Sequence, residues 1–154
     1  MSFNEFLLRQ VRQLASFQFG VAGELFFPEG CVVEVSPSTG RPRRVWLEGK
    51  CVATIRATDG WLTLTVLGAQ RLNALLERGR NRVVVSNEGA ERVAAGYDVQ
   101  AGYVVEADAS IIPGMEVLVV DRDYRLLGVG KAVVAGVEMT ELRRGAVVKV
   151  RHKV

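Results

Sequence analysis

The segment Arg143–Val154 carries Arg143, Arg144, Lys149, Arg151 and Lys153, together with His152, the one histidine of the chain, and no acid. If it runs as a strand, alternate side chains share a face. Lys149, Arg151 and Lys153 then point one way, and Val148, Val150 and His152 the other. The strand rise would space the three cations about 7 Å apart, close to the phosphate spacing of RNA. The chemistry on offer is capture of a polyanion, with each phosphate contact steepening the salt dependence. The alternative is an edge strand guarded by its charges against pairing. Arginine outnumbers lysine 16 to 4, which suits bidentate phosphate contacts and stacking on bases; GC-rich coding produces the same bias. A net charge of +3 and a pI near 9.1 permit an anionic partner without requiring one.

Other chemistry finds little support. A single histidine leaves no room for a His-built metal site or a His-based triad. Cys31 and Cys51 alone do not make a zinc site; they read as free buried thiols, or as a disulfide if their strands are neighbours. Gly128-Val-Gly130-Lys131 lacks the spacing of a phosphate-binding loop and lies within a strand pattern, so its glycines read as tight packing. Glu24, Asp59, Asp121 and Asp123 sit at turns, where solvated acids are common. The expectation is a chain with no catalytic residues, no metal, no cofactor and no small-molecule substrate. No stretch of about 18 apolar residues is present to span a membrane. The opening MSFNEFLLRQVRQL carries acid and amide groups where an export signal needs an apolar run, so a cytoplasmic location is expected.

The composition divides the chain. All six phenylalanines, Phe3, Phe6, Phe17, Phe19, Phe26 and Phe27, precede residue 28, and valine dominates after Arg80. The polar stretch Glu77-Arg78-Gly79-Arg80-Asn81 reads as the joint, giving domains 1–79 and 80–154. In the first, Ser2 and Glu5 form a capping box for a helix with Phe3, Phe6, Leu7, Val11 and Leu14 on one face and Arg9, Arg12 and Gln13 on the other. Strands are expected at Cys31–Val35, Arg43–Leu47, Cys51–Ala57 and Trp61–Leu67, the last two joined at Asp59-Gly60, and a helix at Gly68–Arg78. In the second, Arg82–Val85 is a short buried strand and Ser86 caps a helix that Gly96 ends. Strands follow at Tyr97–Val105, Met115–Val120, Leu126–Ala135 and Gly145–Arg151, with a helical turn near Val137–Leu142. The fold class is α+β: an N-terminal domain of helix, antiparallel strands and helix, then a small mixed β-barrel with one main helix.

Three blocks in order are specific. Glu88–Gly96 with Tyr97–Val105, Ile112–Val120, and Leu127-Gly-Val-Gly-Lys-Ala132 with Gly145–His152 together resemble the PUA domain, an RNA-binding module. Met115 stands where that family usually has Asp, and Gly102-Tyr103 where many members have Pro-Gly. A larger residue at Tyr103 is similar to the branch attached to archaeosine-type tRNA-guanine transglycosylases. Leu14–Gly20, Glu24–Pro28, Thr39–Val45 and Ala53–Gly60 resemble the pre-PUA segment of that same branch. The resemblance implies an archaeal pre-PUA plus PUA protein, similar to the C-terminal part of those enzymes without their catalytic barrel.

The resemblance also implies where RNA would lie: Gly96, Tyr97, Asp98, Gln100, Gly102 and Tyr103, with Lys149, Arg151 and His152. Gly96 would admit a close backbone approach. Tyr97 or Tyr103 would stack a splayed base, although Tyr103 reads first as a barrel-core residue. Asp98 and Gln100 would read a base edge or a 2′-hydroxyl. Arg41, Arg43 and Arg44 either extend that surface or form a plain hairpin charge cluster. The implied function is non-catalytic binding of structured RNA, tRNA first and rRNA second. The competing reading is a targeting subunit that binds a separate RNA-modification enzyme through its Phe-rich domain, which an exposed patch at Phe19, Phe26 and Phe27 would favour.

Overall fold

Ser2 Oγ accepts the N–H of Glu5 at 3.1 Å and caps helix α1 (Phe3–Phe19), and Gly20 at φ +70° ends it. In the computed structural model, which describes residues 1–154, two units form, Met1–Leu76 and Glu77–Val154. Helix α1 buries Leu7, Leu8, Val11, Ala15 and Phe19. Phe3 and Phe6, expected inside, are exposed, because the buried stripe is centred one residue row away, on Leu7, Leu8 and Val11. Phe17 is 79% exposed yet stacks on Trp61, with ring centroids 5.8 Å apart. Phe19, Phe26 and Phe27 instead pack on one another in the core, so they form no exposed patch.

The short helix α2 (Gly23–Phe26) lies against α1. A Cβ at Gly23 would stand 2.1 Å from the Arg12 carbonyl oxygen. Strands β1 (Cys31–Val35), β2 (Pro42–Leu47), β3 (Lys50–Ile55) and β4 (Leu62–Leu64) form an antiparallel sheet in that order. Two α1 amides satisfy its edges. Asn4 donates to Cys31 O and accepts from Val33 N on β1. Gln18 donates to Leu62 O and accepts from Leu62 N on β4. The expected strand Trp61–Leu67 stops at Leu64. Thr65 caps helix α3 (Val66–Leu75) by accepting from Gly68 N, while its hydroxyl donates back to β3. Cys31 and Cys51 are free thiols on β1 and β3, with β2 between them, and burial pushes both thiols up.

In the second unit, β5 (Arg82–Val85), helix α4 (Asn87–Ala94), β6 (Val99–Gln100), a 3₁₀ turn (Ala101–Tyr103) and β7 (Val104–Ala107) are followed by β8 (Glu116–Val120), β9 (Leu126–Ala132), helix α5 (Gly136–Met139) and β10 (Ala146–Lys153). The sheet runs β6-β10-β9-β8-β5-β7, with β5 and β8 parallel and the rest antiparallel, as a nearly closed barrel. Its core is Val83, Val85, Val93, Val99, Ile111, Val117, Val119, Met139, Val147 and Val148. The expected single strand Tyr97–Val105 is two. Ala101 N donates to Gly145 O, the chain turns, β6 pairs with β10, and β7 pairs with β5 at the other edge. One stretch of sequence thus supplies both edges of the barrel. Glu77–Gly79 are tied to this unit: Arg82 donates to Glu77 O, and Gly79 N donates to the Tyr124 hydroxyl.

Asp108 anchors the start of the barrel. Its carboxylate accepts the Asn81 N–H at 2.6 Å and both the N–H and hydroxyl of Ser110. Burial works against ionisation, but these donors and the nearby Arg80 charge outweigh it and hold the acid below its ordinary value of 3.8. A depressed carboxylate stabilises the fold fully above its unfolded value, and that contribution fades as pH falls through the folded one. The stability difference between wild type and Asp108→Asn is therefore expected to be constant from neutral pH to about pH 5 and to shrink below about pH 4. Urea midpoints measured across that range check it.

Candidate nucleic-acid interface

Helix α4 begins at Ser86, whose hydroxyl accepts from Gly89 N, and ends in a paired set of backbone bonds. Gly96 N donates to Val93 O at 2.9 Å and Tyr97 N to Arg92 O at 3.1 Å, with Gly96 at φ +98°. Nothing lies within 4 Å of where a Cβ would stand on Gly96, so its backbone is open to approach. Tyr97 follows and is 55% exposed.

The structure adds Arg92 to the residues read from the sequence. Its guanidinium carbon lies 4.6 Å from the Tyr97 ring centre and 5.4 Å from that of Tyr103. Tyr103 is half-buried and pressed on α4: a Cβ on Gly89 would come within 2.8 Å of its Cβ. Gly102 is exposed in the 3₁₀ turn, and Gln100 is half-buried on β6 opposite Ala146 of β10. The only advance signal for Arg92 was a cation in the last turn of a helix, which the C-terminal dipole explains equally well.

One oxygen of the Asp98 carboxylate is engaged: Oδ1 accepts the Val150 N–H at 2.9 Å and pins β10 to the segment after α4. Nor does β10 display three cations in a row. Its register on β9 shifts between Val150 and His152, so Arg151 is the extra residue of a bulge and the alternation breaks there. Lys149 is exposed beside Lys131 of β9. The Arg151 guanidinium grips both oxygens of Glu116 on β8, one at 2.9 Å, and that acid's side chain is only 4% exposed. Lys153 Nζ donates to the Ala94 carbonyl at the end of α4, at 2.7 Å. His152 is exposed opposite Val129. Gly96, Tyr97 and Asp98 are therefore brought to β10 through Asp98–Val150 and Lys153–Ala94, Tyr103 joins Tyr97 through Arg92, and Arg151 is turned to Glu116.

In the first unit, Arg44 pairs with Glu34 at 2.9 Å and Arg56 with Asp59, while Arg41 and Arg43 are exposed. They border an open groove beside α1, formed with the turns Ser36–Arg41 and Arg56–Trp61. These turns share a geometry, with Gly40 and Gly60 at φ +70° and +77°.

Residues 81–154 match the PUA domain family, and residues 9–79 match the patch-forming domain C2 of tRNA-guanine transglycosylase. The chain is a PUA-domain protein with a C2 domain ahead of its PUA domain. This C2–PUA chain is 46% identical over 145 residues to the tRNA-guanine(15) transglycosylase of Pyrococcus abyssi (strain GE5 / Orsay), a match covering 94% of the chain and 24% of that protein. To the enzyme of the same name from Thermoplasma acidophilum it is 42% identical over 149 residues, covering 96% and 23%. It thus spans about a quarter of the length of the curated relatives it matches, and the matching part is C-terminal. Among solved structures it is similar to hypothetical protein PH0734.1 from Pyrococcus horikoshii OT3, with a TM-score of 0.74 and 26% identity, covering 99% of this chain and 92% of that one. A conserved PUA domain protein from Thermoplasma acidophilum shares the fold, with a TM-score of 0.67 at 22% identity over 99% of this chain and 91% of that one.

Proposed function

We propose that the protein binds structured RNA through its PUA domain, tRNA first and rRNA second, and catalyses no reaction itself. The observation that carries this reading is the α4–β10 surface: open backbone at Gly96, and exposed Tyr97, Lys149 and His152, with Asp98 Oδ1 and the Glu116 carboxylate engaged within the domain. Gly96 admits a sugar or phosphate, Tyr97 offers a stacking face, and Lys149 neutralises a phosphate. Gln100 and His152 supply groups for a base edge or a 2′-hydroxyl, and Gly102 and Tyr103 form the adjoining wall. Arg151 acts through the bulge it stabilises. The preference for tRNA rests on the relatives named tRNA-guanine(15) transglycosylase. The reading places the protein in the cytoplasm; no helix is long and apolar enough to cross a membrane.

In filter binding across a salt series, tRNA is expected to bind more tightly than duplex DNA. Lys149→Ala is expected to weaken tRNA binding and to reduce the slope of log K against log salt by about 1. Equal binding of tRNA and DNA would overturn the target. A second reading, as targeting subunit of a separate RNA-modification enzyme, is weakened by the burial of Phe19, Phe26 and Phe27 and rests on exposed Phe3, Phe6 and Phe17 on α1. Its test is co-purification with the remaining, catalytic part of a relative. Retention that persists in a Phe3→Ser, Phe6→Ser variant would exclude that surface.

A further inference from the structure

Helix α1 has three faces. One row, Leu7, Leu8, Val11 and Ala15, is buried in its own unit. A second carries Glu5, Arg9 and Ser16 into solvent, with Arg12 tied to the Phe27 carbonyl. The third is Phe3, Phe6, Gln10, Gln13 and Phe17, all exposed. At about 100° per residue these five fall in one stripe on the far side of the helix from the buried row. Their alternating steps of three and four residues are those of a helix-pairing seam. The fold does not call for these rings, because Leu7, Leu8 and Val11 already close the core beneath α1. Phe17 is moreover held flat on Trp61, so docking it costs little side-chain freedom.

The stripe is complementary to itself. Let a second copy of α1 run antiparallel to the first, with the two-fold axis at the level between Val11 and Arg12. Phe6 then meets Phe17 of the second copy at each end, and Gln10 meets Gln13 twice in the middle. Each amide offers the other a donor and an acceptor. Phe3 lies over Gly20, which has no side chain to oppose it, and Arg9 lies beside Ser16, so no like charges face each other. The stripe holds no charge to attract a polyanion, and its two central amides are unsuited to lipid. Phe3, Phe6 and Phe17 are 64%, 48% and 79% exposed. With roughly 200 Å² for each fully buried aromatic ring, the rings and amides of two copies bury about 1,000 Å², the lower bound for a specific association. We propose that α1 pairs with α1 of a second copy along this stripe, giving a weak homodimer with a dissociation constant on the order of 10 μM. The pairing needs no nucleic acid and stands apart from the RNA reading.

Sedimentation velocity of the full chain without RNA, over about a decade of concentration either side of that constant, tests it. Wild type is expected to pass from monomer to dimer across the range. Phe6→Lys and Phe17→Glu, both at exposed positions, are each expected to weaken the dimer about a hundredfold, since symmetry places every substitution in it twice. Their helix content and melting temperature stay unchanged. Mixed in equal amounts, the two variants are expected to associate about tenfold more tightly than either alone. The new ammonium then faces the new carboxylate at one end while Phe17 still meets Phe6 at the other. Gln10→Glu with Gln13→Glu keeps good helix formers, opposes like charges at the centre and is expected to weaken the dimer about tenfold. A wild type that stays monomeric throughout overturns the pairing, and the face belongs to another protein if the catalytic part of a relative then binds it. A dimer that all these variants leave intact overturns this seam. A mixture no tighter than its parts overturns the antiparallel register.

Discussion

Gly130→Ala is expected to cost about 3 kcal/mol or more, a large fraction of an ordinary domain's total stability. A Cβ there would stand 2.0 Å from the Lys149 carbonyl oxygen and 2.9 Å from the Lys149 carbonyl carbon and Val150 Cα. These are backbone atoms of the neighbouring strand and cannot swing aside as a flexible side chain would. Relief requires β10 to move off β9, which also drags the Asp98–Val150 bond and the bulge that follows. Gly96→Ala is the informative comparison. No atom opposes a Cβ at Gly96, so the cost is the positive φ alone, about 1–2 kcal/mol. Urea unfolding of both variants checks the contrast. Near-equal midpoints would mean that β10 is free to shift, and that the α4–β10 surface is not a fixed one.

Arg151→Ala is expected to destabilise by about 2–3 kcal/mol. It removes the bidentate partner of a carboxylate that is nearly out of water, a change that costs more when the pair is fully buried. Arg151 keeps about a third of its side-chain surface in solvent, which discounts the effect. Arg151→Lys is expected to recover only part of the loss, because an ammonium cannot span both Glu116 oxygens. Lys149→Ala, one strand position before the bulge and exposed, is expected to stay within about 0.5 kcal/mol of wild type. Chemical denaturation of the three variants separates them. The contrast matters for any RNA assay: a binding defect in an Arg151 variant mixes lost folding with lost contact, whereas Lys149 reports on phosphate contact alone.

The mixed α+β reading, with an antiparallel N-terminal domain and a PUA barrel, was legible because its signals are local. Ser86 followed by a helical stretch and Gly96 marks a capped helix whatever surrounds it. Asp59-Gly60 marks a reversal through the backbone freedom of one residue, realised at Gly60 with φ +77°. Other expectations failed where the deciding partner is distant in sequence. Phe3 and Phe6 obey helical spacing, but the sheet packs against the neighbouring row of α1. Tyr97–Val105 looks uniformly strand-like, yet closure of the barrel breaks it so that it can serve both edges.

The charge of the C-terminal segment, its lack of acids and the order of the three PUA blocks are properties of the sequence alone. What those charges do was decided by tertiary structure. A single extra residue in β10 sends Arg151 to Glu116 on β8, while Lys153 bonds to the end of α4 and Lys149 stays in solvent. Side-chain direction on a strand alternates only while the register holds, and register is set by pairing with residues far along the chain. The Arg92 wedge has the same origin: Tyr97 precedes β6 and Tyr103 ends the 3₁₀ turn after it, and only the path of the backbone through the closing barrel brings both rings to one guanidinium.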